Sequence, residues 1–257
     1  MAQDTIATSY RKAIAGNSKQ SSPFKRVRMN QFPDIPLFGC NAFELYKKFG
    51  GGGGLDYTSE SGTSIAIRGP IFDESLKRTR LFLTGRGNSI VIEGIRSTKR
   101  LDIACANGSN VVVKSPETIR GLTIFCSHGS FARIGAGCMI ARDVLIYSSR
   151  AHGLYSVADG VKRSKDGVDI GERVWLGQGA RILAGARVGN GSVIGSYSVL
   201  AGKIFNNCAA AGNPCRVTTR DVFWTGRTIA TKESYFETLK RERKPVPAFI
   251  KYTEQEG

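Results

Sequence analysis

The chain carries two histidines, His128 and His152, in 257 residues. Imidazole is the side chain whose ordinary pKa lies nearest neutrality, so a histidine within reach of a hydroxyl can take or return its proton at physiological pH. His152 stands in the stretch SSRAHGLYSVADGVKRSKDGVD, from Ser148 to Asp169, which interrupts an otherwise regular repeat. His128 has no comparable setting and is expected to be a loop residue that bonds locally. Six cysteines, at 40, 105, 126, 138, 208 and 215, form no Cys-x-x-Cys pair. Two histidines are too few for a Cys/His zinc site, so no metal centre is expected. The run Gly50 to Gly54 follows no strand and precedes no Gly-Lys-Ser/Thr, so it is expected to be a flexible linker rather than a phosphate loop.

The elements that must position His152 are written in six-residue steps from Ile170 to Phe205. Each step opens on an aliphatic residue: Ile170, Leu176, Ile182, Val188, Ile194 and Leu200. The second place is Gly171, Gly177, Leu183, Gly189, Gly195 and Ala201, and the fifth is Val174, Ala180, Ala186, Ser192, Ser198 and Ile204. A period of six fits neither an α-helix nor an alternating strand; it is the hexapeptide period of a parallel β-helix. First- and fifth-place side chains point inward, and glycine at the second place is expected to permit the bend. Three steps close one triangular coil, and coils stack as parallel strands. The same rungs continue upstream at Ile134, Ile140 and Ile146, and looser strand signals with longer corners begin near residue 78. Threaded as one more coil, residues 152–169 would turn His152, Lys162 and Ser164 into the core. A buried unpaired lysine is too costly, so about 150–169 is expected to leave the wall as an extruded loop.

The flanks complete the expected organisation. Residues 1–77 form a basic arm or cap, with Lys25-Arg-Val-Arg28, a short helix from Asn41 to Phe49 and the glycine linker; 78–205 form the β-helix; 206–257 form a C-terminal cap, helical from Glu233 to Lys244 before Pro245. The net charge of +16 implies anionic partners, an acidic polymer or an anionic membrane surface among them. The N-terminus lacks the apolar core of a signal peptide, no segment is apolar enough to span a bilayer, and unpaired cysteines suit a reducing cytoplasm.

The run from Ile134 to Val217 resembles the hexapeptide-repeat O-acyltransferases, in particular the sugar acetyltransferases of bacterial capsule and lipopolysaccharide synthesis. The matching pieces are Ile146-Tyr-Ser-Ser-Arg-Ala-His152, Ile170-Gly-Glu-Arg-Val-Trp-Leu-Gly177, Ser192-Val-Ile-Gly-Ser-Tyr-Ser-Val199 and Ala210-Ala-Gly-Asn-Pro-Cys-Arg-Val217. The resemblance implies a left-handed parallel β-helix that assembles as a homotrimer. It implies an acetyl-CoA-dependent O-acetyltransferase that acts on a sugar hydroxyl in surface polysaccharide synthesis. His152 matches the family's catalytic base. Gln178, Ser196, Ala201, Lys203 and Arg216 match positions that hold the CoA moiety, although a Thr-Lys pair of the family is replaced here by Ala201-Gly202 with Lys203 displaced by one. Arg150 occupies a place that is commonly acidic in the family; it cannot orient the imidazole as a carboxylate would, but it can pair with an anionic acceptor. Asp143 or Asp169 are the candidates for orienting His152 instead.

Two other readings compete. A β-helical carbonic anhydrase needs three histidine ligands per zinc, which this chain lacks. A basic, non-catalytic scaffold for nucleic acid or acidic polymer agrees with the charge, but the chain carries no nucleic-acid-binding motif.

Overall fold

The computed structural model describes residues 39–51, 54–150, 152–161, 166–226 and 232–254. The basic cluster Lys25 to Arg28, together with Lys162 and Ser164, lies outside them.

Strands stack into three parallel-dominated sheets that form the faces of a prism, the expected β-helix. The first face runs Cys40–Asn41, Thr79–Thr84, Leu101–Ala106, Leu122–Cys126, Val144–Tyr147, Arg181–Ile182 and Val199–Leu200. The second runs Leu55–Thr58, Ser64–Arg68, Ser89–Glu93, Asn110–Lys114, Phe131–Ile134, Val168–Ile170, Arg187–Val188 and Lys203–Ile204. The third runs Thr118–Ile119, Met139–Ile140, Trp175–Leu176, Val193–Ile194, Ala209–Ala211 and Arg216–Thr219.

The six-residue rule holds in the packing. All six first-place and all six fifth-place residues between Ile170 and Ile204 are buried. Each first-place aliphatic contributes about 1.5–3 kcal/mol by leaving water. The serines at fifth places are satisfied rather than stranded: Ser192 Oγ donates to the Phe205 carbonyl at 2.7 Å and accepts from the Cys208 amide at 3.1 Å, and Ser198 Oγ accepts from the Gly212 amide at 3.0 Å. The second-place glycines work differently from expectation. Their φ angles are not in the left-handed region; that region is used at the fourth place, by Arg173, Gly179, Gly185, Gly191 and Tyr197. What the second place requires is room: a Cβ on Gly177 would lie 2.6 Å from the Ser196 amide nitrogen on the next coil. Glycine is there because neighbouring coils touch, not because the chain bends.

Register records the extruded loop. Ile170 pairs with Val188, Leu176 with Ile194 and Ile182 with Leu200, one eighteen-residue coil apart. Across the interruption Ile134 pairs with Ile170, Ile140 with Leu176 and Ile146 with Ile182, thirty-six apart. The surplus is one coil's length of chain, and it forms the flap.

The sheet starts earlier than the strand signals near residue 78 indicated. Ser64–Arg68 pairs in parallel with Ser89–Glu93, and Leu55–Thr58 closes onto it antiparallel. Ahead of these strands, the helix Ala42–Phe49 is capped by the Asn41 side chain, which accepts from the Phe43 amide at 2.8 Å. Gly50 ends that helix, its amide donating to the Tyr46 carbonyl, and Gly51 and Gly54 bridge each other, which returns the chain to the wall. At the other end Arg216–Thr219 pairs antiparallel with Ala209–Ala211, and the helix Lys232–Arg241 follows. The tail folds back: the Asn207 amide group donates to the Val222 and Phe249 carbonyls, and Arg173 lies between the rings of Trp224 and Phe249, 4.9 and 4.7 Å from their centroids.

Candidate active site

The flap leaves the prism where the first face turns into the second. Its neck is closed by the Gly167 amide, which donates to the Ser148 carbonyl at 2.6 Å. The Gly167 carbonyl in turn accepts from the Gly185 amide at 2.7 Å and from Arg187 Nη1 at 3.0 Å on the following coil. Ser148 is buried and its Oγ meets Ser130 Oγ at 2.6 Å, so the root of the flap is anchored to the coil above. Beyond the neck the described residues stand in solvent: Leu154, Tyr155, Val157 and Val161 are all exposed. A small turn shapes the tip, with the Ser156 amide bonded to the Val161 carbonyl and the Gly160 amide to the Ser156 carbonyl, both at 3.0 Å.

His152 is exposed on this flap, four residues beyond the buried Ser148. It has no hydrogen-bond partner among the described residues. Arg150 is exposed beside it. Neither aspartate offered as an orienting group reaches the imidazole. The Asp143 carboxylate meets Arg100 at 3.4 Å, at the far edge of the first face, and Asp169 pairs with Arg133 at 3.6 Å on the outside of the second.

The candidates for holding the CoA moiety divide between two edges. Ala201 and Lys203 lie on the edge that carries the flap, two coils below its root, where the corner between first and second faces has shortened to Ala201-Gly202. Lys203 is exposed, with its ammonium 4.0 Å from the Phe205 ring centroid. Gln178 and Ser196 stack one coil apart on the other edge of the first face, where the third face turns into it. Gln178 Nε2 donates to the Tyr197 hydroxyl at 3.2 Å. Arg216, opposite Ala211, extends that column, because Gly212 is bonded to Ser198 Oγ; its Nη1 donates to the Cys215 carbonyl at 3.0 Å. Trp175 lies exposed on the third face, its ring centroid 6.2 Å from that of the buried Trp224.

Sequence reasoning missed a cluster at the flap root. On the outer surface of the first face the rings of Phe125 and Tyr147 stack with centroids 4.9 Å apart and planes 12° apart. Beside them Ser127 Oγ lies 2.7 Å from Ser149 Oγ and 2.8 Å from His128 Nδ1. The signal was present: Phe125 to Tyr147 and Ser127 to Ser149 are both twenty-two residues apart, the length of that coil. Among the described residues no group of three or more histidine, cysteine or carboxylate side chains is arranged to hold a metal.

Residues 167–202 match the family model for the bacterial transferase hexapeptide (six repeats). The chain is 40% identical over 93 residues to a polysialic acid O-acetyltransferase of Escherichia coli O1:K1 / APEC, a stretch that covers 35% of this chain and 30% of that relative. It thus spans about a third of the length of the curated relative it matches. Among solved structures, the polySia-specific acetyltransferase NeuO superposes with a TM-score of 0.54 at 26% identity, over 68% of this chain and 80% of that one. The polysialic acid O-acetyltransferase OatWY superposes with a TM-score of 0.50 at 23% identity, over 63% and 78%, a likeness of fold. The solenoid matches the left-handed β-helix of such acetyltransferases. Residues 167–202 thus carry the bacterial transferase hexapeptide repeat, and the chain is similar in local sequence and in coil architecture to polysialic acid O-acetyltransferases.

Proposed function

We propose that the protein moves an acetyl group from acetyl-CoA to a hydroxyl of an acidic glycan, with His152 as general base. The observation that carries this reading is the extrusion of one full coil's length of chain, which holds an exposed imidazole on a rigid edge instead of in the core. His152 takes the proton of the attacking sugar hydroxyl as its oxygen adds to the thioester carbonyl, and returns that proton to the departing CoA sulfur. Gln178, Ser196, Lys203 and Arg216 are exposed polar or cationic groups suited to the pantetheine and phosphates, and Ala201 leaves the flap edge open beside Lys203. The net charge of +16 and the polysialic acid named for the relatives both favour an anionic acceptor.

The division of the candidates between two edges supports a threefold assembly. One protomer presents its flap on one edge of the first face and Gln178, Ser196 and Arg216 on the other. A closed ring of three would set the flap edge of each protomer against the second edge of its neighbour and complete the site between them. The proposed location is the cytoplasm, where acetyl-CoA is made.

The test is a panel of acidic polysaccharides, a sialic acid polymer included, incubated with labelled acetyl-CoA, beside thermal melts with CoA and with nucleic acid. Label in an acidic glycan and a Tm that rises with CoA are the expected results. A melt that responds to nucleic acid alone, with no glycan labelled, would overturn the reading in favour of a basic scaffold.

A further inference from the structure

The geometry points to an acceptor-sugar subsite at the flap root, formed by Phe125, Tyr147, Ser127, Ser149, His128 and Arg150. This assignment rests on the glycan-acetylating reading above and names where the acceptor ring lies.

Phe125 and Tyr147 are register partners on neighbouring strands of the first face. Side chains alternate across a strand, and here the alternation is clean: Cys126 and Ser148 turn into the core, while Phe125, Ser127, Tyr147 and Ser149 turn out. The outer surface therefore pairs two aromatic rings with two hydroxyls, side by side, at the corner from which the flap departs. Phe125 covers one face of Tyr147, yet Tyr147 remains 41% exposed. Part of that ring is therefore open to solvent. Backed by Phe125, that ring is a rigid platform.

The hydroxyls form a chain, Ser149 Oγ to Ser127 Oγ to His128 Nδ1, at 2.7 and 2.8 Å. Each serine can donate one bond and accept two, and the imidazole can do either at each nitrogen according to its tautomer, so the chain can offer a donor or an acceptor to a passing hydroxyl. A pyranose asks for these two things together: a flat ring to meet its apolar C–H face, and a polar rim for its hydroxyls. Arg150, exposed next to Ser149, adds a cation for a sugar carboxylate. His152 follows two residues later, so a ring held on Tyr147 is within reach of the flap. Tyr147 is a specificity-determining residue in this assignment, and the serine–histidine chain positions the acceptor.

The experiment compares wild-type protein with Tyr147→Ala and Tyr147→Phe, using a sialic acid oligomer as acceptor and, in parallel, calorimetric titration with that oligomer in the absence of CoA. Loss of the ring is expected to raise the acceptor KM about tenfold, the scale of one aromatic contact, without moving the KM for acetyl-CoA, and to weaken the calorimetric affinity alike; Tyr147→Phe is expected to restore both. Ser127→Ala, which keeps the rings, is expected to raise the acceptor KM by a smaller factor. Should Tyr147→Ala fail to fold, Tyr147→Leu removes the ring and retains bulk. If wild type transfers acetyl groups while the ring-less variants keep the acceptor KM, the subsite is refuted and the enzyme reading survives. If wild type labels no glycan, the enzyme reading falls, and calorimetry decides the subsite separately: absent binding, or equal binding by wild type and Tyr147→Ala, overturns it.

Discussion

Two stretches of this chain have the same length and opposite fates. Residues 170–187 close one coil of the wall, and the chain that the register skips between Ile146 and Ile170 is one coil long as well. In the wall every inward place is apolar or a small satisfied residue, and each is buried. In the flap the same places fall on His152, Ser156, Ala158, Lys162 and Ser164, while its apolar residues Leu154, Tyr155, Val157 and Val161 fall between them and end up exposed. Length therefore does not decide whether a segment becomes a coil. The phase of its apolar residues does, since a coil with inward lysine and histidine would leave charge in a dry core. The segment expelled on those grounds is the one that carries the imidazole.

The sharpest way to separate the two stretches is to remove one function at a time. His152→Ala is expected to lower acetyl transfer by about 10²–10⁴ while the Tm and its rise with CoA stay where they are, because the side chain packs against no core residue; steady-state kinetics and melts on one preparation check it. A fall in Tm instead of in rate would mean the flap belongs to the wall energetically.

Glycines give the next contrast. Gly177→Ala in the wall forces a Cβ to within 2.6 Å of the Ser196 amide, backbone against backbone, and is expected to cost about 1–3 kcal/mol in urea unfolding. Gly160→Ala in the flap meets nothing within 4 Å but must hold a φ of 66°, and is expected to cost no more than about 1 kcal/mol. Equal effects at the two sites would mean that contact between coils is not what selects glycine in the wall.

The smallest effect concerns alkaline pH. Cys138 is fully buried in the wall, and burial pushes its thiol from 9.0 up to about 12. The unfolded chain releases that proton first, so this site's stabilisation is intact below pH 9 and is lost as pH rises through the window from about 9 to about 12. At pH 10 the loss is expected to be about 1 kcal/mol from this thiol. Urea unfolding at pH 8 and pH 10 checks it, and Cys138→Ala is expected to remove this part of the pH dependence.

What could be learned in advance followed corner length. From Ile170 to Ile204 corners are minimal, the period is constant, and inward residues could be named one by one. Upstream, partners lie twenty-two residues apart at Leu81 and Ile103 and twenty-five apart at Ile67 and Ile92, so no single period exposes them. For that reason neither Ser64–Arg68, which lies behind a glycine run, nor the outward pairs Phe125/Tyr147 and Ser127/Ser149 are legible from a six-residue period. The glycine rule was legible as a pattern but not as a cause, because contact between coils is a property of the stack. The allocation of Gln178 and Ser196 to one edge, and of Ala201 and Lys203 to another, follows from phase alone; the engagement of Asp143 and Asp169 by arginines does not.

The antiparallel strands at the two ends have a bearing on the fate of the protein in a crowded cell. An array of parallel rungs invites a second molecule to dock head to tail and continue the ladder, which is how fibres grow. Leu55–Thr58 on the second face and Arg216–Thr219 on the third each run against their neighbour, so on those faces an incoming coil meets the wrong pattern of donors and acceptors. Those two strands act as terminators for ladder growth on their faces, and the long sides, where the flap stands, remain as surfaces through which copies can meet.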